Sequence, residues 1–426
     1  MKKALATILA LVMAIGLCSV SWATGPASVN SAETLKTAIE TGGAITLSGS
    51  FEVSEPLSVS KEVTIDLNGQ TITGKNGEYG RRVFNVVAGG SLTLTGSGTI
   101  TTAGNNDTTF PDNSSVIRVG DNTNGAACGL VVGKDVKIIA PASYGIAVFG
   151  KNTKQTLEVS GTVTAKEASA ISGNGGAGYT ETEITINDGA TIISENNVAV
   201  YHPQAGTLTV KAANITGSGG IEIKSGTANV NVAGANIKAT GNVDHTVNND
   251  GTSSRGYAIA VVENPGYKGA PLAVIQNGNF VGAMGILEDG KVSAEDKKGS
   301  LAISAGSFTV NVNDYVTENT PVASNNGTYY VGANTIQGAA NNLSAGQQLK
   351  IEKGTVAING IEYSAGGNAT YTKPSGGYYY YHPTTDTKAD DTKGSPKTFD
   401  AGVGIYAVTA VLSVTGMAWT AKKRED

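Results

Sequence analysis

Three histidines are the side chains of this sequence best suited to acid–base or metal chemistry near neutral pH. His202 comes directly before a proline at the end of an apolar segment, which is typical of a turn. His245 lies in a polar insertion at 241–256 that also holds two aspartates, so a metal-binding or acid–base role and a solvated loop both fit it. His382 lies in a polar stretch near the end of the chain. From this pattern we predict no catalytic residue, no metal site and no cofactor.

The charged residues that could assist a reaction are scattered along the chain. Arg82 and Arg118 each adjoin an outward-facing strand position, where a base could remove a proton but a surface charge is the simpler interpretation. Asp390 and Asp391 form a carboxylate pair in a stretch that we predict to be flexible. Paired carboxylates must be held about 5–9.5 Å apart to hydrolyse a glycoside, and a flexible segment does not hold them. Asp188 lies in an Asn-Asp-Gly turn that lacks the other ligand positions of a calcium loop.

Aromatic side chains give the sequence its one argument for ligand binding. Several lie near strand ends or in insertions, where a row of rings along one face could stack on sugars. Single aromatic residues packed over turns are an equally good interpretation. The predicted ligand-binding residues are Tyr144, Tyr179, Tyr201, Tyr257 and Tyr267.

The element that must position these side chains is a short repeated β unit. The segment EVTIDLNGQTITG at 62–74 alternates apolar and polar residues, which predicts strands with one buried and one wet face. Its Asn-Gly pair accepts positive φ and predicts a tight turn between two strands. One unit of this kind cannot bury its apolar face alone, so its packing must come from further copies.

Similar segments recur about ten times. Those around Leu130, Leu157, Ile184, Leu208 and Val230 follow one another at steps of 22 to 27 residues. A third short strand separates most units, as in GIAVFG, NVAVYH and GIEIKS. We therefore predict an all-β fold, a parallel β-helix solenoid in which each lap of three strands rests on the lap before it. A β-sandwich array would instead need antiparallel hairpins in blocks of about 100 residues.

The two ends of such a stack need covers. Residues 30–40, NSAETLKTAIE, predict a short helix in the N-terminal cap, with Asn30 as its N-cap and Glu33 as its capping-box partner. Residues 335–372 predict a small further β segment. Residues 373–400 have no apolar period and predict an extended spacer.

The chain termini carry predicted targeting signals. Two lysines and an apolar run precede the small residues Ser21 and Ala23, a pattern typical of a secretory signal peptide. Residues 401–421 contain no charge, and about 20 apolar residues are enough to cross a bilayer. The basic tail at 422–426 would then stay in the cytoplasm. The sequence thus predicts a secreted protein anchored at the cell surface through a C-terminal membrane helix, with a buried core helix as the alternative for 401–421.

A short motif precedes this span: Ser395, Pro396, Lys397, Thr398 and Phe399. The order of Pro-x-Thr, apolar span and basic tail resembles the sorting signal of Gram-positive surface proteins. The resemblance implies a sortase as partner, which cuts after the Thr and joins it to the cell wall. Ser395 stands where Leu or Asn is usual and Phe399 where Gly is usual, so the motif is degenerate, and without cleavage the helix alone would hold the protein in the membrane.

These signals divide the chain into six predicted parts. They are a signal peptide (1–23), a parallel β-helix with its N-terminal cap (24–331), a small β segment (332–372), a flexible spacer with the sorting motif (373–400), a transmembrane helix (401–421) and a cytoplasmic basic tail (422–426).

The repeats also resemble a known family. VTIDLNGQTITG, at 63–74, is similar to an early lap of the right-handed, pectate-lyase-like parallel β-helix proteins, and the segment at 301–331 is similar to their closing lap. The resemblance covers about 30–331 and implies a right-handed coil, as in the surface-anchored members from Gram-positive bacteria. Lyases of this family use clustered aspartates on Ca²⁺ and a basic residue, and its hydrolases use several aspartates with Gly-His-Gly. We find neither of these two residue patterns in this sequence.

Composition narrows the function further. The formal net charge of −5 argues against nucleic-acid binding. Cys18 falls in the leader and Cys128 is alone, so no intramolecular disulfide forms in the mature chain. The first functional prediction is a non-catalytic, surface-anchored β-helix that binds glycans or other ligands on host or neighbouring cells. The alternatives are a polysaccharide lyase or glycoside hydrolase, and a structural stalk without a ligand.

Overall fold

The structure is a computed structural model that describes residues 25–75, 82–103, 115–120, 125–149, 153–175, 181–230, 234–267, 269–290 and 298–375. All of these residues belong to one compact unit that ends at Ser375. The predicted signal peptide, most of the spacer, the sorting motif, the span at 401–421 and the basic tail lie outside the described residues and stay predictions. Within the described ranges, no helix is long and apolar enough to cross a bilayer.

Three long sheets, almost entirely parallel, make up the body, and the chain visits them in turn. The first sheet contains β1 (Ala27–Val29), β2 (Gly43–Leu47), β5 (Glu62–Asp66), β8 (Ser91–Thr95), β11 (Gly129–Val132), β14 (Gln155–Val159), β17 (Thr182–Ile186), β20 (Gly206–Val210), β23 (Thr227–Val230), β28 (Leu272–Ile275) and β31 (Ser300–Ile303). The second sheet contains β3 (Phe51–Val53), β6 (Thr71–Gly74), β9 (Gly98–Thr102), β12 (Val136–Ala140), β15 (Thr162–Ala165), β18 (Thr191–Ser194), β21 (Asn214–Gly217), β24 (Asn236–Ala239), β29 (Asn279–Val281), β32 (Gly306–Phe308), β34 (Thr328–Val331), β33 (Val322–Asn325), β35 (Gln348–Lys353) and β38 (Thr370–Thr372). The third sheet contains β4 (Leu57–Val59), β7 (Phe84–Val86), β10 (Ser115–Val119), β13 (Tyr144–Val148), β16 (Ile171–Gly173), β19 (Val198–His202), β22 (Gly219–Ile223), β27 (Tyr257–Glu263) and β30 (Ala283–Glu288).

Four strands of the described ranges lie outside these sheets. They form two hairpins, β25 (Asp244–His245) with β26 (Ser254–Arg255), and β36 (Thr355–Ile358) with β37 (Ile361–Ser364). The helices of the described chain are α1 (Ala32–Thr41), α2 (Ala333–Asn342) and a 3-10 turn at Asn313–Tyr315.

Stacked apolar columns explain why the laps hold together. Each lap places one strand in each sheet, and equivalent residues of successive laps pair in register. The column in the first sheet runs through Val63, Leu92, Leu130, Leu157, Ile184 and Leu208. These side chains are at most 1% exposed, and burial of each apolar side chain stabilises by about 1.5–3 kcal/mol. The prediction of parallel laps is confirmed at this level: the described chain is all-β and compatible with a β-helix solenoid.

The predicted turn of the type unit is confirmed as well. Asn68 (φ 45°) and Gly69 (φ 78°) both take the left-handed conformation between β5 and β6. Asn68 Nδ2 also donates to the carbonyl of Leu47, so the turn is tied to the preceding lap.

The N-terminal cap differs from the prediction in its first residues. α1 begins at Ala32, and its N-cap is Ser31, whose hydroxyl accepts from the backbone N–H of Thr34. The prediction of Asn30 and Glu33 as capping pair was therefore wrong by one residue, because Ser-x-x-Thr supplies the same reciprocal hydrogen bonds one step later. The predicted apolar stripe is right, since Leu35 and Ile39 are buried.

The C-terminal part contains a helix that the sequence prediction missed. Residues 332–372 were predicted as a small β segment, whereas α2 occupies ten residues near its start, Ala333–Asn342. Ile336 and Ala340 of α2 are buried in a second apolar core with Leu349, Ile351 and other residues of the antiparallel strands. β32 pairs with β34 in antiparallel fashion, which ends the parallel stacking of the second sheet.

The third sheet is buried on both faces over much of its length. Every residue of β19 and β22 is buried, including the outward-facing Tyr201 and Glu222. The insertion at 241–256 folds over this outer face: the N–H groups of Gly241 and Gly256 both donate to the carbonyl of Ser218. This cover buries a cluster of polar side chains outside the apolar core, and we call Glu222, Lys224, His245 and Asp289 the closed site.

Candidate functional site

The closed site begins at the end of β22, which supplies Glu222 and is followed by Lys224. Ile221 and Ile223 point into the apolar core, so Glu222 points outward between them. Lys224 follows the strand directly. The side chains of Glu222 and Lys224 are both 0% exposed. Two charged groups of this kind are costly to bury unless they are paired and hydrogen-bonded.

Glu222 is satisfied by the inserted segment. Its carboxylate accepts hydrogen bonds from the backbone N–H of Ser253 (3.0 Å) and of Ser254 (2.9 Å), and from the hydroxyl of Ser254 (2.6 Å). Burial raises the pKa of Glu222 above its usual value, although Lys224 and these hydrogen bonds act in the opposite direction. The insertion therefore provides a polar cradle for one buried carboxyl group.

Lys224 lies at the centre of the site. Its Nζ donates to Asp289 Oδ2 at 2.5 Å and to the carbonyl of Asn248 at 2.9 Å, and Glu222 Oε1 is 3.7 Å away. The ammonium also lies 5.9 Å from the ring centre of Tyr201 and 5.8 Å from that of Tyr267. A cation between two aromatic faces is attracted by both rings.

Asp289 follows β30 and closes the site from two laps further along the chain, since β27 lies between β22 and β30. Its carboxyl group is buried, and Oδ1 lies 2.8 Å from His245 Nε2 of the insertion. Asn264 Nδ2 lies 3.4 Å from Oδ2. Burial would raise the pKa of Asp289, but the hydrogen bonds from Lys224 and His245 outweigh it and hold the pKa below its usual value.

The four predicted ligand-binding tyrosines that the structure describes do not form one row. Tyr201 and Tyr267 lie together, with their hydroxyls 2.9 Å apart, and they are only 5% and 6% exposed. Their rings pack over Lys224, so their faces are not exposed for stacking on a sugar. Tyr144 and Tyr257 are partly exposed, and Tyr179 lies outside the described residues. The binding role of the partly exposed tyrosines stays a prediction.

Of the other residues that the sequence singled out, His202 adjoins this site through its backbone, because its carbonyl accepts from the N–H of Lys224 at 3.1 Å. Arg82 and Arg118 belong to earlier laps. His202 is fully buried, where desolvation lowers its pKa to about 4. Arg82 donates to Asn85 at 3.0 Å, and burial and the neighbouring Arg118 lower its pKa to about 10. The guanidinium of Arg118 lies 4.9 Å from the ring centre of Phe149. These contacts give each of the two arginines a structural partner.

The outer face of the second sheet carries a second feature, here called the polar stripe. It is a column of outward side chains in continuous register over nine strands: Thr71, Thr99, Lys137, Thr162, Thr191, Asn214, Asn236, Asn279 and Ser307. Asn236 Nδ2 donates to Asn214 Oδ1 at 3.0 Å, and Asn279 Nδ2 donates to Asn236 Oδ1 at 2.8 Å. All but one of its members are uncharged.

Among the described residues, no group of three or more His, Cys, Asp and Glu side chains is placed to hold a metal ion. The acidic side chains of the closed site face Lys224, which supplies the positive charge.

Sequence reasoning missed Glu222, Lys224 and Asp289. The signal that could have found the first two is the segment GIEIKS, where charged residues interrupt a strand that resembles its near-continuously apolar neighbours. Comparisons of this chain with protein-family models, with curated proteins and with solved structures find no match.

Proposed function

We propose that this protein is a right-handed parallel β-helix displayed at the surface of a Gram-positive cell, where it binds extracellular glycans without catalysis. The polar stripe is the observation that carries the proposal. Neighbouring strands are about 4.8 Å apart, so nine strands give a row of polar side chains, mostly hydroxyl and amide groups, about 38 Å long. Such groups match the alternating donors and acceptors of a polysaccharide chain.

The order of the stripe also favours binding. The amide ladder from Asn214 through Asn236 to Asn279 fixes the side chains before any ligand arrives. A ligand then loses less free energy to the ordering of the surface, because immobilising a side chain costs about 0.5–1.5 kcal/mol.

The surface location rests on the sequence signals at the two chain ends. A signal peptide at 1–23, a membrane helix at 401–421 and a sortase acting at Thr398 would together place the β-helix outside the cell. The lyase or hydrolase alternative has less support, because the acidic and basic groups that do cluster in the described residues are enclosed. A stalk without a ligand remains the third alternative.

Binding can be tested with the purified full-length chain by affinity electrophoresis in gels that contain mucin, pectin or bacterial cell-wall polysaccharide. The triple variant Asn214→Ala, Asn236→Ala, Asn279→Ala should weaken retention at least about tenfold, since each lost hydrogen bond is worth about 0.5–1.5 kcal/mol. The matched control is Thr185→Ala with Thr209→Ala, which removes outward hydroxyls from the first sheet and should leave retention unchanged.

No retention of the wild type on any of these polymers would overturn the proposal. Equal loss in the control variant would show that the stripe is not the binding surface. Release of unsaturated or reducing sugar ends would establish the enzyme alternative instead.

A further inference from the structure

The contact between Lys224 and Asp289 places an amine against a carboxyl group within the closed site. Nζ and Oδ2 are 2.5 Å apart, both side chains are 0% exposed, and the residues are 65 positions apart in the chain. The rings of Tyr201 and Tyr267 flank the amine. Because Nζ and Oδ2 are in direct contact, a proton can pass from the ammonium to the carboxylate, and this transfer gives a neutral amine beside a neutral acid.

The groups around the pair suit acyl transfer. His245 Nε2 lies 2.8 Å from Oδ1, where an N–H would polarise the carbonyl and stabilise negative charge on that oxygen. Glu222 Oε1 lies 3.7 Å from Nζ and can carry a proton away from the nitrogen. A nucleophile, a proton carrier and a donor to the developing oxyanion are thus all present.

We propose that the side chains of Lys224 and Asp289 become joined by an intramolecular amide bond, formed within the folded protein. Lys224 Nζ first passes one proton to the Asp289 carboxylate, which gives an amine and a carboxylic acid. The nitrogen lone pair then attacks Cγ to form the C–N bond, and Glu222 takes a second proton from the nitrogen. Glu222 returns this proton to the oxygen that was Oδ2, the C–O bond breaks, and one water molecule leaves.

The balance is complete without an oxidant, a cofactor or a second substrate. The positive charge of Lys224 and the negative charge of Asp289 disappear together, and Glu222 ends as it began. Oδ1 remains as the amide oxygen and keeps its contact with His245. The product is a covalent link between the end of β22 and the residue after β30, and it does not depend on the proposed glycan binding.

The test is the mass of the chain purified from cells that secrete it, with its mature N-terminus and its C-terminus both determined. The proposal predicts that this mass is lower, by one water molecule or about 18 Da, than the mass of the residues between those two ends. Trypsin should also yield fragments 212–238 and 269–291 as one branched product, uncut after Lys224. A folded protein with its full mass would overturn the proposal.

One competing reaction gives the same loss of mass. Asp289 precedes Gly290, and an aspartate before glycine can cyclise to a succinimide with loss of water. A succinimide leaves fragment 269–291 linear, so finding the loss of water in a linear fragment would also overturn the proposal.

Variants separate these cases further. Lys224→Arg should restore the full mass, whereas it would leave a succinimide in place. Lys75→Arg, which changes an exposed lysine paired with Glu52, should keep the loss of water. Glu222→Gln should give a folded protein, by circular dichroism, with its full mass, and an undiminished link in that variant would overturn the part assigned to Glu222.

Discussion

His245 Nε2 lies 2.8 Å from Asp289 Oδ1, and this contact fastens the inserted hairpin β25–β26 to the end of β30. The histidine side chain is 22% exposed, while the aspartate side chain is fully buried. The insertion therefore covers the closed site and is held there by His245. The structure does not place His245 in a solvated loop, which was one of the two interpretations of the sequence.

Replacing His245 by Ala should loosen this cover. A hydrogen bond to a buried carboxyl group contributes about 1.5–3 kcal/mol, so local opening of residues 241–256 should become at least about tenfold more frequent. Hydrogen exchange of peptides from this segment measures the change.

The matched control for that experiment is Val247→Ala in the same segment. Val247 is 58% exposed and its removal should leave the exchange rates as they are. If His245→Ala exchanges no faster than Val247→Ala, the contact with Asp289 does not hold the insertion.

An aromatic stack of Phe280 and Phe308 packs two of the last laps together. The rings of Phe280 and Phe308 are 4.8 Å apart at an interplanar angle of 6°, and both residues are 1% exposed. Phe280→Ala should lower the free energy of unfolding by about 3–5 kcal/mol, because it removes the stack and leaves a cavity. Val281→Ala, on the exposed side of the same strand, should change it by less than about 0.5 kcal/mol. Urea denaturation of the two variants against wild type distinguishes these outcomes.

The repeating core could be predicted from sequence because a period of two leaves little choice about which side chains face inward. Leu92, Leu157 and Ile184 follow this rule and are buried. The segment LAVI at 272–275 does not follow it, because all four of its residues are apolar. Its register, with Ala273 and Ile275 inward, is fixed by pairing with the neighbouring lap.

The closed site as a whole could not be predicted, and the reason is physical. A lysine or glutamate on the outer face of a strand is normally solvated, whereas here the insertion at 241–256 covers Glu222 and the ring of Tyr267 packs over Lys224. Their partner Asp289 comes from 65 residues further along the chain. The helix α2 was missed for a different reason: its sequence ANTIQGAANN is rich in weak helix formers, and packing of Ile336 and Ala340 in the second apolar core stabilises it.

A pair of glycines tests how closely the laps approach. A Cβ added at Gly161, between β14 and β15, would lie 2.4 Å from the carbonyl oxygens of Gly133 and Val136 in the preceding lap. Gly161→Ala should therefore destabilise the protein by about 1–3 kcal/mol through overpacking. Gly338 in α2 has no atom within 4 Å of its added Cβ, so Gly338→Ala should stabilise by about 0.5–1 kcal/mol. Thermal unfolding of both variants gives the comparison, and equal shifts would refute close lap contact at Gly161.

Acid sensitivity between neutral pH and about pH 5 should arise from His202. This side chain is fully buried, and desolvation lowers its pKa from 6.5 to about 4. Because the pKa is lower in the folded state, the unfolded chain takes up the proton first as the pH falls. The contribution of neutral His202 to the free energy of unfolding is therefore present above pH 6.5 and is lost as the pH falls toward its folded-state pKa of about 4. The free energy of unfolding should drop by about 2 kcal/mol between neutral pH and about pH 5. His202→Gln should remove most of this drop, whereas His245→Gln should keep it. Urea titrations at the two pH values decide the matter, and an unchanged drop in His202→Gln would assign the acid sensitivity to other groups.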